Sequence, residues 1–272
     1  MKIDINTKMI TLLGKPLGQS FAARMQNAGY EAAGLNMLYF YTEVDKDHLG
    51  DVVNGLRYMN FAGFAVTKPN KVRVLRYLDE LDPLCKKMGA SNTVVKTPEG
   101  KLIGYNTDGV GFYTSLVEEG KINVEESTFF CFGAGGAGRA MCSVLAYHGA
   151  KKIYITDFYE PCAESLVMDI NENFAPVAEL VHHGDYAKIA ECNVVMNASG
   201  IGMGSTIGQT PMPVEHIQPG QFYFDACYNP DKTQFLLNAE EKGCQVLNGL
   251  GMSLYQGAAQ IELWTGEKAP VE

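Results

Sequence analysis

Thr128 to Ala150 reads TFFCFGAGGAGRAMCSVLAYHGA. An apolar run, Thr128 to Phe132, enters a glycine cluster, and a helical pattern follows that Gly149 closes. Gly133, Gly135 and Gly138 stand in the GxGxxG spacing. That spacing is weak alone, but between a strand and a helix it has a physical purpose. The first glycine allows a sharp turn, the second lets backbone approach a pyrophosphate, and the third permits close helix packing. The first amides of the helix then face the anion. The stretch predicts a Rossmann-like unit that binds a dinucleotide.

The next strand, KKIYITD, ends at Asp157, about where an acid bonds the adenosine ribose hydroxyls. Phe158 and Tyr159 follow and offer no cation to a 2′-phosphate, which Asp157 would itself repel. NAD is therefore expected, with NADP the weaker candidate.

Outward from this unit the pattern repeats. ELVHHG, CNVVMNAS, FYFDACY and CQVLNG read as further strands between helical stretches. Toward the N-terminus, MITLLG (Met9 to Gly14), NMLYFYTEV (Asn36 to Val44) and FAGFAVT (Phe61 to Thr67) read as strands. Val72 to Gly89 reads as one helix interrupted at Pro83, and SNTVVK and KLIGYN flank TPEG as a hairpin. SLYQGAAQIELWTG reads as a closing helix. Strands alternating with helices predict an α/β fold with parallel βαβ units covered on both faces. Two such units are expected, with a boundary near Asn106 to Gly111.

Bulk numbers narrow the function. The 272 residues suffice for two modest domains, and 46% hydrophobic with 19% charged residues marks a globular chain. A net charge of -9 argues against a nucleic-acid partner. The N-terminal apolar run is too short and interrupted for a signal peptide or membrane span. The seven cysteines are scattered without metal-ligand spacing, as expected of reduced thiols in a cytoplasmic protein, and no metal is expected. The five histidines fall outside every motif.

GYNTDGVGF, Gly104 to Phe112, holds one carboxylate, Asp108, which could be a turn-former or half of a catalytic pair. Local sequence leaves both open. Motif order along nearly the whole chain does more. GKPLGQS, GFAVTKPNK, GASNTV, GYNTDGVG, GAGGAGRA, NASGIGM, CYNP and GLGMSLYQGAAQIELWTG arrive in the order of the shikimate dehydrogenase family, which the sequence resembles.

The resemblance implies two domains. Residues 1–106 with 238–272 would bind substrate, residues 107–237 would bind NAD(P), and the active site would lie in the cleft between them. It implies Lys71 and Asp108 as catalytic residues, and Ser20, Thr67, Asn92, Tyr228 and Gln256 as substrate ligands. Gly133, Gly135, Gly136, Ala137, Gly138, Arg139, Asp157, Asn197, Met203 and Gly249 would serve the cofactor. A monomer or homodimer is expected. The chemistry fits independently, because oxidising a secondary alcohol removes a hydride and a hydroxyl proton. A positioned side chain must take that proton, or a cation must stabilise the alkoxide. A nicotinamide accepts the hydride, so the reaction needs no metal.

The chain also departs from the family. Ala22 and Ala23 stand where a second serine and a proline usually follow Ser20, and those serines bind a substrate carboxylate. Gln19 replaces a usual histidine, Ala65 a usual asparagine, and Lys68 an apolar residue. Gln19 and Arg24 are candidates to compensate. Three readings follow: a shikimate or quinate dehydrogenase with a modified pocket, a paralogue for another polyhydroxylated cyclic substrate, or a non-catalytic ligand- or dinucleotide-sensing protein.

Overall fold

The structure is a computed structural model that describes residues 3–18 and 20–271. It divides into two compact units, one running to Val110 and resuming at Leu254, the other spanning Gly111–Ser253.

In the first unit, β1 (Lys8–Gly14), α1 (Ala22–Ala32), β2 (Met37–Glu43), α2 (Leu49–Tyr58) and β3 (Phe61–Val66) alternate. β1 pairs in parallel with both β2 and β3. Where one helix was expected over Val72 to Gly89, the chain makes a 3₁₀ turn at Arg73–Tyr77, a short strand β4 (Glu80–Leu81) and helix α3 (Pro83–Met88). Tertiary pairing overrides the helical pattern. Asp79 N donates to Leu102 O and Asp79 Oδ2 accepts from Leu102 N, which draws the segment onto a neighbouring strand. Asp82 then caps α3 by accepting from Leu84 N and Cys85 N, with Pro83 in the first turn, where its missing N–H costs nothing.

β5 (Thr93–Lys96) and β6 (Leu102–Tyr105) form the expected antiparallel hairpin. The sheet order is β2-β1-β3-β5-β6-β4, mixed because β5 runs antiparallel to β3. One face is filled by Leu13, Val53, Leu56, Phe64, Val74 and Val94. The other holds Ile10, Leu12, Tyr30, Tyr39, Ile261 and Trp264. Gly63 is required here, since a Cβ would lie 2.1 Å from Val94 O and 2.7 Å from Trp264 Nε1.

Helix α4 (Thr107–Glu118) carries the chain into the second unit. There follow β7 (Thr128–Phe132), α5 (Gly136–Tyr147), β8 (Lys152–Thr156), α6 (Glu160–Asn173), β9 (Ala178–Leu180), β10 (Val194–Asn197), β11 (Phe222–Asp225), α7 (Gln234–Glu241) and β12 (Gln245–Asn248). All pairings are parallel, in the order β12-β11-β10-β7-β8-β9. The chain winds one way from β7 and the other way from β10, so the strand order reverses between them. That switch point is where doubly wound sheets leave a crevice. Phe130, Phe132, Val195, Tyr223 and Phe235 fill one face of this sheet.

Helix α8 (Leu250–Thr265) brings the chain back to the first unit. The return was expected at residue 238. It comes at Leu254 instead, because β12 adds to the sheet edge, pairing Phe222 with Gln245 through Asp225 with Asn248. Among the described residues no helix is long and apolar enough to cross a membrane.

Candidate active site

The C-terminal ends of β1 and β3, the start of α1 and helix α8 enclose a cavity of about 140 Å³ in the first unit. Ser20, Thr67, Lys71, Asn92, Asp108 and Gln256 all line it. Thr67 follows β3 and is held by its backbone N donating to Leu13 O. Asn92 immediately precedes β5, and Asp108 lies in the first turn of α4. Asn106 caps that helix, its Oδ1 accepting from Asp108 N at 3.2 Å and Gly109 N at 3.5 Å. The carboxylate of Asp108 thus sits at the positive end of a helix dipole.

Lys71 Nζ donates to Asp108 Oδ2 at 2.6 Å. Asn92 Nδ2 donates to Asp108 Oδ1 at 2.9 Å, so both carboxylate oxygens are held. The pair is only partly buried, with side-chain exposures of 29% for Lys71 and 20% for Asp108, and it remains reachable by a ligand. Gln256 Nε2 reaches Thr107 Oγ1 at 3.4 Å. The arrangement offers a hydroxylated ring one cation, one carboxylate and several neutral donors and acceptors.

Ala22 and Ala65 also line this cavity, with Leu12 and the buried Tyr39. Their wall is therefore mainly apolar. Ser20 Oγ accepts from Ala22 N at 3.2 Å and keeps its proton to donate. Arg24 is exposed and does not line the cavity, and Gln19 lies outside the described residues. Reading the sequence missed Gln260 and Tyr39 as lining residues and Thr93 as a buried partner of Asn92. Gln260 stands four residues after Gln256, one helical turn along α8, which is the signal that could have found it.

In the second unit the glycine loop joins β7 to α5. Gly133 has φ +99, and a Cβ there would lie 2.6 Å from Ser199 N. A Cβ on Gly138 would lie 1.9 Å from Gly133 O, so helix and loop touch backbone to backbone. A Cβ on Gly135 would meet nothing within 4 Å, which leaves open space beside the N-terminus of α5 at Gly136 and Ala137. This cradle fits a dinucleotide pyrophosphate. Asp157 Oδ2 accepts from Ala134 N at 2.7 Å and Oδ1 from Tyr159 N at 2.9 Å, tying the loop to the end of β8.

Some expected cofactor residues are placed differently. Asn197 is fully buried and touches no solvent. Its Nδ2 donates to Ile201 O at 2.8 Å and to the Asp225 carboxylate at 3.1 Å, and its Oδ1 accepts from Ser199 N at 3.1 Å. These bonds shape the 198–201 loop. Burial raises the Asp225 carboxyl above its usual range. Arg139 is engaged with Asp169 on α6. Gly249 is buried, and a Cβ would lie 2.1 Å from Ala226 O, so its smallness serves packing. Met203 and Tyr228 are half-exposed in this unit. Among the described residues no group of three or more His, Cys, Asp or Glu is placed to hold a metal.

Residues 12–94 match the shikimate dehydrogenase substrate binding domain, and residues 249–272 match the shikimate 5′-dehydrogenase C-terminal domain. A shikimate dehydrogenase (NADP(+)) of Desulforamulus reducens is 39% identical over 100% of this chain and 94% of its own length. The chain belongs to the shikimate dehydrogenase family.

Solved structures agree with that membership. The shikimate 5-dehydrogenase of Listeria monocytogenes, in complex with shikimate and NAD, superposes with a TM-score of 0.95 at 38% identity, covering 100% of this chain and 96% of that one. The 5-ketofructose reductase of Gluconobacter superposes with a TM-score of 0.89 at 31% identity, covering 98% and 96%. As a member of the shikimate dehydrogenase family, this chain is a nicotinamide-dependent oxidoreductase acting on a CH–OH group.

Proposed function

We propose that this enzyme moves a hydride between a nicotinamide cofactor and a ring hydroxyl or ketone of shikimate or a close relative such as quinate. The observation that carries the reading is the Lys71–Asp108 pair at 2.6 Å, lining a cavity of ring-alcohol size beside Asn92. Residues up to Val110 with those from Leu254 hold the substrate, and the Gly133–Gly138 loop holds the cofactor pyrophosphate. During oxidation the neutral amine of Lys71 takes the hydroxyl proton and becomes the ammonium, which returns that proton during reduction. Asp108 keeps the ammonium aimed and accepts a hydrogen bond from the same or a neighbouring hydroxyl. Asn92, Thr67, Ser20 and Gln256 bond the remaining hydroxyls. The nicotinamide, when bound, supplies the hydride acceptor or donor.

The preferred cofactor is NAD. Asp157 ends β8 with a carboxylate, and Phe158, Tyr159 and Glu160 follow without a cation. A 2′-phosphate would meet negative charge there. The D. reducens and L. monocytogenes relatives are both named for NADP(+), and an L. monocytogenes structure holds NAD, so the NAD reading rests on this strand end alone.

A second reading is favoured by Ala22 and Ala65 in the cavity wall. Two donors are missing from that wall, and a hydrogen bond to a charged group contributes about 1.5–3 kcal/mol. A relative of shikimate without the carboxylate, polyhydroxylated and cyclic, would lose nothing there. The Gluconobacter relative of similar fold, named a 5-ketofructose reductase, lends support to such a substrate.

Initial rates with NAD and NADP, each against shikimate, quinate and uncharged cyclic polyols, test both readings. Turnover of shikimate or quinate with NAD supports the first. Turnover confined to uncharged polyols supports the second. Dinucleotide binding without turnover of any ring alcohol would sink the enzymatic assignment of Lys71 and Asp108.

A further inference from the structure

We propose that Gln260 and Thr93 are positioning residues that hold Asp108 in its working state through a buried hydrogen-bond relay reaching from helix α1. The relay runs from Gln26 through Gln260, Thr93 and Asn92 to Asp108 and Lys71. It rests on the reading of Lys71 and Asp108 given above.

Groups that can only donate or only accept orient most of these bonds, while the Thr93 Oγ1–Thr107 Oγ1 contact at 3.2 Å can run either way. Gly257 O can only accept, so the Gln26 atom facing it at 3.1 Å is the amide nitrogen. The same nitrogen donates to Gln260 Oε1 at 3.0 Å. That turns the Gln260 amide nitrogen toward Thr93 Oγ1, to which it donates at 2.8 Å. Thr93 Oγ1 donates to Asn92 Oδ1 at 2.8 Å, nearer than its other hydroxyl neighbour, Thr107 Oγ1 at 3.2 Å. Thr107 N also donates to Asn92 Oδ1, at 2.8 Å. The Asn92 nitrogen is left facing Asp108 Oδ1 at 2.9 Å, and Lys71 holds the other oxygen.

Gln26 and Thr93 are fully buried, and Gln260 and Asn92 nearly so. Buried amides in a low-dielectric setting are costly unless paired; Gln26 Oε1 is buried without a hydrogen-bond partner, but each link from Gln26 Nε2 through Gln260, Thr93 and Asn92 to Asp108 is made, and paired links fix one orientation. A core of this kind could have been built from aliphatic side chains without loss of packing. A polar line that instead ends on the carboxylate of the reacting pair has a use there: it keeps Asn92 from turning its oxygen toward Asp108. Asn92 thereby supplies a donor, not a repelling acceptor, to Asp108.

The test uses Gln260→Met and Thr93→Val, which keep volume but break the relay, with Thr93→Ser as the variant that keeps the hydroxyl. Rates are measured with the dinucleotide and the ring alcohol, among those screened above, that gives the highest kcat/KM. Both disrupting variants should lower kcat about tenfold with the KM for dinucleotide unchanged, and Thr93→Ser should retain wild-type kcat. In an Asp108→Asn background neither disrupting variant should lower the rate further, because residues that act through one group are not additive. Wild-type kcat in Gln260→Met and Thr93→Val, with only the melting temperature lowered, would reduce the relay to a structural feature. An equal further loss in the Asp108→Asn background would also overturn it. If Asp108→Asn itself keeps wild-type kcat, or no ring alcohol is turned over, the reading of the pair fails and the relay with it.

Discussion

Lys71 Nζ and Asp108 Oδ2 lie 2.6 Å apart across 37 residues of sequence, one after strand β3 and the other in the first turn of α4. The contact pairs a proton carrier with a fixed carboxylate at the edge of a cavity. Asp108→Asn removes the charge but keeps the shape, and Lys71→Ala removes the proton carrier. Each should lower kcat at least a hundredfold, in line with general acid–base contributions of about 10²–10⁴. Dinucleotide affinity, measured by fluorescence titration, should stay within about twofold, since the glycine loop is untouched.

Ala22 and Ala65 make a second, opposite kind of prediction. Adding donors with Ala22→Ser and Ala65→Asn together should raise kcat/KM for shikimate about tenfold or more, because each new bond to a carboxylate is favourable. Rates on an uncharged cyclic polyol should not rise in parallel. Steady-state comparison of the two substrates reads this directly, and an unchanged shikimate rate would mean that no carboxylate approaches this wall.

Asp157 sets the cofactor expectation. Asp157→Ser keeps an acceptor for Ala134 N but removes the charge that a 2′-phosphate would meet. The ratio of kcat/KM for NAD to that for NADP should fall at least about tenfold, a change of about 1.4 kcal/mol. A ratio that does not move would place the selecting residue elsewhere.

Gly138→Ala forces a methyl to within 1.9 Å of Gly133 O unless backbone shifts. Overpacking of this sort destabilises by about 1–3 kcal/mol. The expected outcome is a lower melting temperature together with at least tenfold weaker dinucleotide binding, measured by thermal denaturation with and without NAD. Gly135→Ala meets open space, so its melting temperature without NAD should stay near wild type.

His148 gives a pH dependence. It stacks on Tyr113 with ring centroids 3.7 Å apart, and burial lowers its pKa below the usual 6.5, with Glu125 offsetting part of the shift. The unfolded chain therefore binds a proton there more readily than the folded one. Stability from this site is full above pH 6.5 and is lost as the pH falls through the folded pKa. Melting temperature against pH should decline less steeply below pH 6.5 in His148→Phe than in the wild type.

Strand–glycine–helix order, the end of β8 near Asp157 and the hairpin around TPEG were legible in the sequence because each depends on neighbours a few residues away. Local sterics decide where glycine must stand, and period-two or period-3.6 patterns decide which face is buried. Resemblance to a family then brought Lys71 and Asp108 together on paper. Only the tertiary structure decided what depends on distant partners. Leu78 to Leu81 left the helical pattern because the edge of β6 offered hydrogen bonds that an isolated helix could not match. Asn197 is buried and its amide nitrogen is held by Asp225, 28 residues away. Gln26 and Gln260 stand 234 residues apart, and neither signals the other in sequence. Such pairs form because two buried amides must find each other once water is excluded, and which amides meet is decided by how the sheet and its covering helices pack.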